Sequence, residues 1–183
     1  MDNGASSYRR YLNGDESAFH ELVKEYFDNL VFFIDRYVHD YGTAEDIALD
    51  VFTYLVVNRH RYNFQTSLKT YLFMLGRSRA LDYIKHRNRI PMLPLEDAEP
   101  HAAEEPSLEE LLLADERKQA VNRALEQLDE ACRLVLHLVY FEQLRPEDAA
   151  KVLKKSRKQI YNLLYRGKKT LRTILGEEGE HYL

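Results

Sequence analysis

Cysteine occurs once in the 183 residues, at Cys132, so no internal disulfide can form and a reducing compartment is the expected home. Cys132 falls among the apolar residues of a predicted helix, which makes it a small buried side chain rather than a reactive thiol. Glycine and proline are sparse, at 7 and 5 residues. No run of alternating β-branched residues occurs, so the periodicity is helical almost throughout. No apolar run is long enough to cross a bilayer, and the start M-D-N-G-A-S-S-Y lacks the basic and apolar stretches of a secretion signal. Membrane insertion is therefore not expected, and a cytoplasmic location is. A Gly-rich phosphate loop, Cys or His pairs at metal spacing and G-x-S-x-G are all missing, so no catalytic residue, metal ligand or cofactor is assigned and an enzyme is not expected. Asp46 and Asp50 lie one helical turn apart, but with no base beside them they read as surface carboxylates.

What is present is a chain 45% hydrophobic and 31% charged, long enough for one ordinary domain or two small ones. Its formal net charge is −4, yet Ser67–Arg89 concentrates Lys69, Arg77, Arg79, Lys85, Arg87 and Arg89 against a single acid, Asp82. Leu68, Tyr71, Leu72, Leu75, Leu81 and Ile84 recur at helical spacing behind a Ser67 cap, giving a helix with one core face and one cationic face. A cationic face in an acidic chain suits a polyanion. Arg59, His60, Arg61, Tyr62, Asn63, Phe64 and Gln65 precede it, and interleaved rings, amides and guanidinium groups are what gripping unstacked bases requires.

Upstream, Asp15 is expected to cap a helix that buries Leu22, Val23, Tyr26, Phe27, Leu30, Phe33, Ile34 and Tyr37 until Asp40–Gly42 ends it. Thr43 with Asp46 forms an expected capping box for the next helix, whose inner stripe is Ile47, Val51, Tyr54 and Leu55. Glu45, Asp46 and Asp50 then mark an acidic outer face. Leu49 and Phe52 either stand on it as a protein-docking patch or pack on neighbouring helices, and the spacing leaves both open.

Downstream, residues 91–110 hold Pro91, Pro94, Pro100 and Pro106 among acids without a Lys or Arg, which predicts an extended acidic linker. Helices are then predicted over 107–128 and 132–141, the latter behind an Asp129 cap. A short helix starts at Pro146, and a long one follows a Ser156 cap. Their tight turn and the Arg157, Lys158, Gln159, Asn162, Arg166, Lys168 and Lys169 of the second describe a helix-turn-helix whose leading residues read base edges. The fold class is all-α: an N-terminal helical bundle over 1–90, the linker over 91–110, a helix-turn-helix domain over 111–176 and a tail over 177–183.

The stretches G-D-E-S-A-F-H-E-L-V from Gly14, A-E-D-I-A-L-D-V-F from Ala44, S-L-K-T-Y-L from Ser67, R-A-L-D-Y-I-K from Arg79 and L-D-E-A-C-R-L-V-L from Leu128 run in order along the chain. Together they resemble a bacterial sigma factor of the small, two-domain extracytoplasmic-function group. The resemblance implies a protein that binds core RNA polymerase, through its β′ clamp and β flap, and directs it to promoter DNA. It implies polymerase contacts at Asp46, Leu49, Asp50 and Phe52. The minus-ten element would fall to Tyr62, Asn63, Phe64, Gln65, Thr66, Lys69, Arg77 and Ser78. The minus-thirty-five element would fall to Ser156, Arg157, Lys158, Gln159, Asn162 and Arg166. An anti-sigma factor is a further partner of such proteins. Lys154 departs from the group's pattern, standing where Gly is typical, as do Tyr71 for Trp, Gly76 for Ala, Ser78 for Asn and Leu49 for Gln. The alternative is a conventional dimeric helix-turn-helix regulator with an N-terminal sensing domain, which leaves the basic and aromatic stretch from Arg59 without a purpose.

Overall fold

Asp15, Ser67 and Asp129 each turn a side-chain oxygen onto the backbone N–H three residues on, and each opens a helix as the sequence predicts. The computed structural model describes residues 4–89, 124–125 and 127–175. Their helices are α1 (Ala5–Leu12), α2 (Glu16–Val38), α3 (Tyr41–Val57), α4 (Leu68–Arg87), α5 (Glu130–Leu136) running into a π-helical turn (His137–Phe141), α6 (Pro146–Leu153) and α7 (Arg157–Leu175). No strand occurs among the described residues, so the all-α expectation holds for them. No described helix is long and apolar enough to cross a membrane. The acidic stretch 91–110 and most of the helix expected over 107–128 lie outside the described residues.

The N-terminal unit is built on α2. Leu22, Leu30 and Ile34 of that helix are fully buried against Val51 and Leu55 of α3 and Leu68, Leu72 and Phe73 of α4. Each such side chain contributes about 1.5–3 kcal/mol of burial. Gly76 lets α4 approach closely, since a Cβ there would sit 2.8 Å from Leu30 Cδ1 and 3.2 Å from Ile34 Cδ1. Tyr8 of α1 is fully buried and donates its hydroxyl to the carbonyls of Leu55 and Arg59, tying α1 to the exit of α3.

One boundary differs from expectation. The cap of α3 is Asp40, whose Oδ1 accepts from Thr43 N–H at 2.7 Å, so the helix starts at Tyr41 rather than from a Thr43 box. A carboxylate makes the stronger, charge-assisted bond and wins the competition.

In the C-terminal unit α5 packs on α7, and α6 meets α7 through the turn at Lys154. Lys154 takes the left-handed conformation, φ 51 and ψ 45, which accounts for glycine being usual at that place. Lys154→Gly is expected to raise stability by about 0.5–1 kcal/mol, because relief of the left-handed strain outweighs the added freedom of the unfolded chain. The urea midpoint checks this: it should rise without a change in slope.

The two units meet. α4 lies along α6, and the expected α-helix over 132–141 widens into the π-helical turn from His137. That turn directs His137 and Glu142 at α2 and α4.

Candidate nucleic-acid interface

On α7 the buried Ile160, Leu163, Leu164, Gly167 and Leu171 define the inner face. Arg157, Lys158 and Asn162 project from the opposite side and are exposed. No ion pair engages Arg157 or Lys158 among the described residues. Gln159 and Arg166 are exposed but occupied. Gln159 Oε1 accepts from Ser156 N–H at 2.7 Å while Ser156 Oγ accepts from Gln159 N–H at 3.2 Å, a reciprocal capping box. Arg166 reaches Asp129 Oδ2 at 2.7 Å and so braces α7 against the start of α5. A notch of about 510 Å³ between the starts of α6 and α7 is lined by Arg145, Lys151, Lys155 and Arg157, with Glu147 the one carboxylate on it. A phosphate backbone fits that sign of charge.

Sequence reasoning overlooked Tyr161 and Tyr165. They are 52% and 70% exposed and share a flank of α7 with Lys168 and Arg172. Projecting the helix around the buried residues finds them, because large rings left outside a completed core are available to a ligand.

The stretch from Arg59 to Ser67 is a self-supporting loop. Tyr62 is 3% exposed, packs edge-on to Tyr8 and beside Phe64 and Tyr71, and donates its hydroxyl to the Thr66 carbonyl. It is thus a platform under the loop and not a free stacking surface, which corrects the expectation for this residue. Phe64 is half-buried with φ 60, under the Arg9 guanidinium at 4.8 Å. Holding a bulky residue in that region costs about 1–2 kcal/mol and turns the loop sharply. Asn63 and Gln65 consequently point outward, and Asn63 Oδ1 accepts from Gln65 N–H at 3.1 Å. Arg59 lies over Tyr11 at 5.1 Å, so part of the interleaved pattern serves the packing of α1.

Along α4, Ser78 stands exposed on the open face, Thr66 is half-buried at its entrance, and Lys69 and Arg77 turn toward the C-terminal unit. Lys69 Nζ is 2.8 Å from Glu142 Oε2, with the two side chains 14% and 3% exposed. Arg77 lines a cleft of about 460 Å³ together with Tyr37, Leu81, Glu130 and Lys155.

On α3, Asp46, Leu49 and Asp50 are exposed, Leu49 by 54%. Asp50 lies 3.7 Å from Arg79. Phe52 is only 4% exposed, edge-on to Phe19 and tilted against Phe27, so it is core and not part of any docking face. Its aromatic neighbours on α2 decide the matter, offering more area than water-facing exposure leaves. Val57, 74% exposed, extends the Leu49 face by two turns.

Two buried carboxylates make the C-terminal unit acid-sensitive. Burial alone would push Glu142 up, but the hydrogen bonds and charges of His137 and Lys69 prevail and hold it below its ordinary value. Asp148 behaves alike: burial raises it, Lys151 and Arg145 at 3.0 Å lower it further, and the net shift is downward. A carboxyl depressed in the fold contributes stability above its unfolded pKa and loses it as pH falls through the folded one. The denaturation midpoint should therefore hold steady from pH 7 to about 5 and fall below about 4. Asp148→Asn should flatten that fall in a urea series at stepped pH.

With this geometry in view, the chain matches two protein families, sigma-70 region 2 over residues 22–90 and sigma-70 region 4 over residues 118–171. The RNA polymerase sigma-H factor of Pseudomonas aeruginosa is 32% identical over 152 residues, which cover 79% of this chain and 79% of that protein. The ECF RNA polymerase sigma factor SigX of Bacillus subtilis is 26% identical over 161 residues, covering 86% and 83%. Among solved structures, the sigma factor RpoE of Bartonella quintana, in complex with the anti-sigma factor NepR, superposes with a TM-score of 0.63 at 20% identity, over 87% of this chain and 97% of that one.

Proposed function

The chain belongs to the sigma-70 family of bacterial RNA polymerase sigma factors, in its extracytoplasmic-function group, and from that membership we propose how its residues divide the work of promoter recognition. Residues 1–90 form the unit that docks on core polymerase and takes the minus-ten element, residues 111–176 the unit that reads the minus-thirty-five element, and 91–110 the tether. Ser156, Arg157, Lys158 and Asn162 enter the major groove, with Gln159 and Arg166 fixing the pitch of α7 and Tyr161 and Tyr165 adding apolar contact. Asn63, Phe64, Gln65, Thr66, Lys69, Arg77 and Ser78 take the opened strand on the platform of Tyr62. Asp46, Leu49 and Asp50, with Val57, meet the β′ clamp, and α5 to α7 meet the β flap.

The observation that carries this reading is α7 itself, a helix with one face in the core and a basic face turned outward, whose leading cations Arg157 and Lys158 make no ion pair among the described residues. Phosphate contacts supply salt-dependent affinity, and each base-edge pair adds about 1–3 kcal/mol of discrimination. A stacked base adds about 1–3 kcal/mol more, which offsets the loss of duplex stacking. No covalent step falls to this chain, because polymerase supplies the chemistry; the work is done beside it in the cytoplasm. The Bartonella relative is held by an anti-sigma factor, and a regulator of that kind suits this chain too. A dimeric regulator is not favoured, since the region 2 match accounts for the N-terminal unit.

The test is core polymerase binding by Leu49→Asp. Placing a charge at the centre of an apolar contact is expected to weaken binding about thirtyfold or more, with thermal stability unchanged, because Leu49 is exposed in the free chain. Unchanged affinity by fluorescence anisotropy or surface resonance would remove α3 from the contact.

A further inference from the structure

Glu142, 3% exposed, is the most deeply buried acid among the described residues and has no part in the proposed function, and it lies on the seam between the two units. Its carboxylate belongs to the C-terminal unit, directly after the π-helical turn. Its partners cross to the other side: Lys69 Nζ of α4 at 2.8 Å and Asn29 Nδ2 of α2 at 3.3 Å, both on Oε2. On Oε1 it meets its own unit's His137, Nε2 at 3.3 Å, outside aligned hydrogen-bond geometry. The His137 ring, 4% exposed, is wedged against Phe32 and Phe33 of α2 and stacked on Phe141. The seam is thus a polar clasp set in an aromatic surround. A π-helical insertion at its root aims both polar groups outward from the C-terminal unit, the kind of local irregularity that recurs at functional sites.

A single anionic oxygen, Glu142 Oε2, on Lys69 Nζ is the contact that a DNA phosphate oxygen would make there. Given Lys69 as a minus-ten contact, as proposed above, we infer that the free chain closes on itself through its own DNA-binding lysine, Glu142 standing in for a phosphate. The clasp and the minus-ten grip then exclude each other. Arg77, eight residues further along α4, lines a separate cleft between the two units, walled by Glu130 and Lys155, and is half-buried there in the same closed form. Closure does not touch Arg157, Lys158 or Asn162, which remain exposed. The minus-thirty-five contact is therefore open in both states, and the minus-ten contact only after the units part. A one-site competition of this kind lowers apparent affinity by the fraction of molecules that are open.

The experiment compares the full-length parent chain with E142Q, K69Q and the charge swap K69E/E142K. Small-angle scattering reads closure without DNA or polymerase. The parent is expected compact, E142Q and K69Q expanded, and the swap compact again because the pair is restored with its signs exchanged. K69Q approaches the clasp from the surface of α4, so the scattering result does not depend on how E142Q tolerates a buried amide. In run-off transcription with limiting chain, E142Q is expected to reach half-maximal output at about tenfold lower concentration than the parent. The swap should be compact yet impaired, having an acid at position 69. E142Q and K69Q as compact as the parent would overturn the clasp. Expansion of E142Q with no change in half-maximal concentration would overturn the competition. Absence of promoter-specific transcripts from the parent itself would strike the sigma-factor assignment of residues and leave the scattering comparison standing.

Discussion

Replacing Arg157 and Lys158 together by alanine is expected to reduce transcription from a minus-thirty-five-dependent promoter by about a hundredfold, with polymerase binding and thermal stability unchanged. Both side chains are exposed at the start of α7, and neither is held by an ion pair among the described residues. Their loss therefore removes nothing from the fold. On DNA each stands to give a phosphate contact or a base-edge pair, and the latter is worth about 1–3 kcal/mol. The salt dependence gives a second readout: losing two phosphate contacts should lower the slope of log affinity against log salt by about 1.8. Competition between promoter variants separates the two kinds of contact, because a lost base contact relaxes discrimination at one position while a lost phosphate contact weakens every sequence alike. Gln159→Ala and Arg166→Ala should behave differently, costing helix-start or domain stability first, since their side chains are already engaged within the chain.

The largest effect on stability is expected from Phe33→Ala, at about 3–5 kcal/mol. Phe33 is fully buried, with its ring 4.9 Å from Phe73, 5.4 Å from Tyr37 and 6.4 Å from His137. Removing it leaves a cavity at the crossing of α2 and α4 and withdraws one wall of the His137 slot. Thermal unfolding should shift down by about 10 °C, given about 2–4 °C per kcal/mol in a chain of this size. Phe33→Leu, which fills most of that volume, should recover the greater part. A loss below about 1 kcal/mol would mean that α2 does not carry the N-terminal core.

Much of this is legible in the amino-acid order alone. Helix starts follow from short polar side chains ahead of apolar repeats, and Asp15, Ser67, Asp129 and Ser156 all accept the predicted backbone bond. The strain at Lys154 also follows from sequence, because a turn that favours glycine implies a left-handed residue there. The departures share one cause, which is packing between elements distant in sequence. Phe52 sits where helical spacing permits either exposure or burial and Tyr62 in a loop on which spacing places no constraint, and rings contributed by α1 and α2 settle both as buried. Asp40 displaces Thr43 as a cap because either oxygen could reach the helix start and the charged one binds more strongly. The π-helical turn is invisible in the pattern His137–Phe141, since an α-helix and a π-helical turn bury similar residues over so short a run. Least legible was the Lys69–Glu142 pair. Each residue reads as an ordinary surface charge on its own helix or turn, and only the meeting of the two units buries them.

The most direct test of the central claim is run-off transcription by core polymerase on genomic fragments, with and without this chain. The account predicts discrete new start sites that appear only when the chain is added, that weaken together when Arg157 and Lys158 are removed, and that lie downstream of a shared pair of promoter elements. Start sites unaltered by the chain, or altered equally by the variant lacking both cations, would contradict it.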